Sequence, residues 1–86
     1  MDKLTATKEA LLREIDMPPD LDPSKLEREA RDALQLARQG ISREHLKAHL
    51  MNMLARLEQP SNPTDCDAAA KTILEISNAL GDTVTV

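Results

Sequence analysis

An all-α fold, a small bundle of three main helices plus a short N-terminal helix with a central antiparallel helical hairpin, is predicted by three features of this 86-residue chain. Apolar residues recur at helical spacing in four separate stretches. Phe, Tyr and Trp are absent, so the core falls to Leu, Ile, Met and Ala, which are good helix formers. Glycine and proline fall at the boundaries of these stretches, where helices start and stop.

The first stretch, residues 5–16, places Leu4, Leu11, Leu12 and Ile15 along one side, with Thr5 or Thr7 available as the cap. Pro18 and Pro19 then interrupt it. The second helix spans 24–39 and has two candidate starts. Either Asp22 caps it with Pro23 at the first helical position, or Ser24 caps it with Glu27 in a capping box. Leu26, Ala30, Ala33, Leu34 and Ala37 share one face, and Glu27 can pair with Arg31 one turn on.

Gly40 stops this helix and Ser42 caps the next, 43–58, so the connection is short enough to bring the two helices side by side. Leu46, Leu50, Met53, Leu54 and Leu57 repeat the spacing of the second helix, and the two apolar faces can meet. QPSNP, residues 59–63, is the clearest break. Thr64 is the expected cap of a fourth helix, 65–80, whose stripe is Ala69, Ile73, Ile76 and Leu80 with Ala70 and Leu74 beside it. Gly81 ends it, and residues 82–86, DTVTV, form a tail: a frayed end, or a strand handed to another protein's groove.

Composition narrows function more than it defines it. A single domain, 1–86, of this size holds only a few kcal/mol of net stability, so help from a partner or a second copy is expected. The net charge of −4 opposes non-specific attraction to phosphate backbones and anionic membranes. Without aromatic rings the chain lacks the platforms on which single-stranded bases stack. One cysteine, Cys66, cannot form an internal disulfide, and no apolar run is long enough to span a membrane or to serve as a signal peptide, so a cytoplasmic setting is expected.

Chemistry is poorly supplied. His45 and His49 are one turn apart and could share a metal, but HLKAH lacks the internal Glu of the metalloprotease motif and no third ligand is evident; no metal is expected. Cys66 opens the fourth helix between Asp65 and Asp67, whose charges oppose a thiolate. Two glycines at helix ends make no phosphate-binding loop, and no cofactor is expected. The chain therefore reads as a non-enzyme.

Two readings of the third helix remain. Ala48, Met51 and Ala55 form a second apolar strip beside the Leu46–Leu57 stripe, and with Leu36 they mark a surface for another protein or a second copy. On this reading the chain is a self-associating adaptor, chaperone-like or regulatory protein. The alternative is DNA binding, because Arg38, Arg43, Lys47 and Arg56 stand against Glu44 alone between positions 38 and 56. LARQGISREHLKAHL resembles a helix-turn-helix, with glycine, an apolar residue, then Ser opening a recognition helix. That resemblance implies Arg38, Arg43, Lys47, His49 and Asn52 as DNA contacts. It departs at His45, where the motif is usually apolar, and at Leu36, where a small residue is preferred. A second stretch, MLARLEQPSNPTDCDAAAKTILEI, looks like the helix, proline-bracketed turn, helix hairpins of small type III secretion components and of some phage small terminase subunits, without a diagnostic motif of either.

Overall fold

The computed structural model describes residues 2–15, 17, 20–60 and 62–79. These form four helices, α1 (Lys3–Glu14), α2 (Pro23–Arg38), α3 (Arg43–Arg56) and α4 (Pro63–Asn78), in the small all-α bundle that the spacing predicts.

The start of α1 differs from expectation. Asp2 caps it, its carboxylate accepting from the Thr5 amide at 2.6 Å, so the helix begins two residues earlier than the threonines suggest. Thr7 is instead fully buried, its hydroxyl donating to the Lys3 carbonyl at 2.7 Å one turn back. Leu12, expected on the inner side, is 57% exposed, whereas Ala6, Ala10 and Leu11 are buried. Neighbouring leucines lie roughly 100° apart on a helix, so Leu11 and Leu12 cannot both face the core squarely.

Of the two candidate starts of α2, the Asp22 cap with Pro23 in the first turn is the one adopted, the Asp22 carboxylate accepting from Ser24 at 2.8 Å. The Glu27–Arg31 pair forms across the exposed surface at 3.7 Å. Gly40 follows α2 at φ +81°, with its amide donating to the Ala37 carbonyl at 3.1 Å. A Cβ there would meet nothing within 4 Å, so the backbone conformation, not space, is what asks for glycine.

Ser42 caps α3 as predicted, accepting from the His45 amide at 3.2 Å. The far end of α3 closes at Arg56, two residues short of the predicted 58. Glu58 takes a left-handed φ of 58°, with Gln59 N–H donating to Leu54 and Glu58 N–H to Ala55, the paired bonds of a Schellman stop. The cap of α4 is Asn62, which accepts from Thr64 at 2.9 Å and Asp65 at 3.4 Å, with Pro63 in the first turn; Thr64 is already inside the helix. The predicted stripe residue Leu80, the Gly81 stop and the 82–86 tail lie outside the described residues.

All four helices feed one core. α4 packs against each of the other three, most extensively against α3, while α1 and α3 do not meet. The hairpin of α2 and α3 is tied by Arg56 Nη2 to Glu29 Oε2 at 3.4 Å, joining the end of α3 to the first half of α2 as an antiparallel pair requires. Packing is large against small. Leu46, Leu50, Met53 and Leu54 of α3 are fully buried against Ala30, Ala33 and Ala37 of α2 and Ala69, Ala70 and Ile73 of α4. The alanines let helix axes approach, and the leucines fill what an aromatic residue would otherwise occupy.

Candidate interaction surface

The surface of α3 is divided by its register. At roughly 100° per residue, Ala48, Met51 and Ala55 fall within about 60° of one another, on the side away from Leu46, Leu50 and Met53. Ala48 and Ala55 are exposed; Met51 is half-buried, its inner edge packed on the core. Glu44 and Asn52, both exposed, border the strip. Leu36 belongs to α2 and is half-buried against the core, so it is a packing residue more than a member of this face.

The five residues of the DNA reading do not converge. Arg43 and Asn52 are nine positions apart, about 180° on the helix, and point away from each other. Arg43 is engaged by α4: its Nε donates to Asp67 Oδ1 at 2.8 Å and its Nη2 to Oδ2 at 2.6 Å. This two-pronged pair holds the Asp67 carboxyl below the usual range and raises the guanidinium further. Lys47, half-buried, lies on the same flank and adds to the stabilisation of the Asp67 carboxylate. His49 is half-buried, and its Nε2 is sealed from solvent without a hydrogen-bond partner. Arg38 and Asn52 are exposed, on different helices. A continuous basic face across 38–56 is therefore absent among these residues.

Cys66 is fully buried. Burial pushes its thiol up, Asp65 adds to the shift and Lys47 opposes it, so the folded chain presents no ready thiolate. Among the described residues no group of three His, Cys, Asp or Glu side chains is placed to hold a metal ion. No helix among them is long and apolar enough to cross a membrane.

Two features of the surface were missed in the sequence. Leu12 is the one large apolar side chain that is exposed among the described residues. Its signal was the true stripe of α1, Ala6, Ala10 and Leu11 with Thr7, which leaves Leu12 outside. Lys3 is the other: it is only 9% exposed, and its Nζ donates to the Ser77 carbonyl at 3.1 Å in the last turn of α4. An ammonium there meets the negative end of the helix dipole. No family model, curated protein or solved structure matches this chain.

Proposed function

We propose that this chain is a small, non-enzymatic protein-interaction module of adaptor, chaperone-like or regulatory type, which associates with itself through the outer face of α3. The observation that carries this reading is the placement of Ala48 and Ala55, exposed on either side of half-buried Met51. Two short side chains let a second helix come close, and a methionine beside them adapts to an uneven partner. The size of the domain supports it too, since an 86-residue core without aromatic side chains gains from further apolar burial.

The DNA reading is weaker on this geometry. Arg43 would have to give up both bonds to Asp67 before reaching a phosphate or a base, and Asn52 faces the other way. The experiment is an NMR dilution series on the full chain. Amide shifts of Glu44, Ala48, Met51, Asn52 and Ala55 should move together with concentration, while those of Arg43 and Lys47 stay fixed. Shifts that are independent of concentration, together with movement of Arg43 and Lys47 on adding duplex DNA at low salt, would reverse the ranking.

A further inference from the structure

We propose that the groove between the start of α1 and the second half of α2 receives an acidic segment of another protein, held through two carboxylates by Arg31 and Arg38. Among the described residues this groove holds about 580 Å³, with Asp2, Lys3 and Leu4 on its α1 wall and Arg31, Gln35 and Arg38 along its α2 wall. It is a second surface, apart from the outer face of α3, so it extends the adaptor role and does not depend on self-association.

Register builds the α2 wall. Positions 31, 35 and 38 fall within about 60° of one another on a helix, and all three residues are exposed. The guanidinium groups hold donors in reserve for a ligand. Arg38 makes no ion pair with another described residue. Arg31 meets Glu27 at 3.7 Å, beyond hydrogen-bond reach.

Charge selects an anionic occupant for that wall. On the α1 wall Lys3 and Asp2 offset one another and are both engaged, Lys3 Nζ on the Ser77 carbonyl at 3.1 Å and the Asp2 carboxylate on the Thr5 amide at 2.6 Å. The two arginines lack such a balance, with Glu27 the one described carboxylate within ion-pair distance of either. In a chain of net charge −4 this is a local excess of positive charge in a concave site. A guanidinium group takes a carboxylate in two parallel bonds.

Spacing points to a polypeptide over a small anion. Arg31 and Arg38 stand about 10.5 Å apart along the helix axis, so a single phosphate would have to draw both guanidinium groups over Gln35. Alternate residues of an extended chain are about 7 Å apart with their side chains on one side. Two such carboxylates meet the arginines with much less bending of either side chain. Gln35 between them offers both a donor and an acceptor, the groups that a peptide bond answers. Half-buried Leu4 on the opposite wall gives the methylene stems of acidic side chains an apolar contact. With no aromatic ring in the chain, a nucleobase finds nothing to stack on.

NMR titration of the full chain with a blocked peptide of alternating alanine and glutamate tests this. Saturable shifts are expected at the amides of Leu4, Gln35 and Arg38, with those of Ala48 and Ala55 unmoved. Arg31→Glu with Arg38→Glu, both at exposed positions, should weaken binding at least about tenfold at unchanged helical content. The same double variant should bind the alanine–lysine peptide instead. A folded wild-type chain without saturable shifts would overturn the proposal. So would binding indifferent to the charge reversal, shifts confined to the outer face of α3, or the same shifts from inorganic phosphate at equal concentration, which would make this a site for any anion. Shifts of Gln35 that follow protein concentration without peptide would make the occupant a second copy and overturn it equally.

Discussion

Arg43 and Asp67, on different helices, are joined by two parallel hydrogen bonds of 2.8 and 2.6 Å, and this pair links the first turn of α3 to α4. Its electrostatics set a pH dependence. The Asp67 carboxyl is lowered chiefly by the hydrogen bond from Arg43, and Asp2 is lowered by the amide of Thr5. Each native state thus holds the ionised form more tightly than the unfolded chain does. Their contributions are complete above the ordinary Asp value of about 3.9 and are lost as pH falls through the lower native value. Urea melts of wild type and Asp67→Asn should differ most near neutrality, with the gap closing as pH drops below about 4. A gap that stays constant down to the acid limit contradicts the pair's role.

Helix α4 offers a discriminating substitution at its start. Asn62 is the cap and Thr64 is not, so Asn62→Ala should cost about 1 kcal/mol. Thr64→Ala, at an exposed position in the first turn, should change stability by less than about 0.5 kcal/mol. Chemical denaturation of both variants reads this directly, and the reverse order would move the cap back to the threonine.

At the end of α3, Glu58 holds a conformation that L-residues with a side chain pay to adopt. Glu58→Gly relieves that cost at the C′ position and should stabilise the chain by roughly 1 kcal/mol, less the entropy glycine adds to the unfolded state. A thermal melt that shifts downward would show that Glu58 makes a contact worth more than the strain.

Cys66 gives a chemical test of the core. Fully buried and with its thiol pushed up by burial, it should react with an aromatic disulfide reagent at pH 8 at least about 100-fold more slowly in the native chain than in urea. Rapid labelling without denaturant would mean that α4 opens at its first turn.

The bundle was legible because its signals are local and repeated. The 4, 7, 8 and 11 spacing in α2 and α3 depends only on helical period, and Gly40, Ser42 and Asp22–Pro23 mark ends by chemistry that neighbouring residues supply. What failed was a choice among adjacent candidates. Asp2 outcompeted Thr5 and Thr7, and Asn62 outcompeted Thr64, because a cap is decided by which side chain reaches a free amide, and several could. The spacing of apolar residues puts Leu12 with Leu4, Leu11 and Ile15 on one side, yet the stripe that is buried runs through Ala6, Ala10 and Leu11, and one position of register turns Leu12 outward. The Glu58 stop carries no glycine to announce it. For the surface, the basic residues of 38–56 read as one face only while counted along the chain; Arg43 bonded to Asp67, and Asn52 half a turn away, are facts of tertiary packing and register. Lys3 at Ser77 spans 74 positions and has no local signal at all.

The central claim is that the outer face of α3 is a contact surface through which the chain associates with itself. Sedimentation equilibrium over a wide concentration range tests it most directly, on wild type and on a variant carrying Ala48→Glu and Ala55→Glu, two exposed positions where charge leaves the core untouched. A reversible dimer or larger species in the wild type, reduced to monomer in the variant at unchanged helical content, is the predicted result. A wild-type chain that remains strictly monomeric, or an oligomer that survives both glutamates, contradicts it.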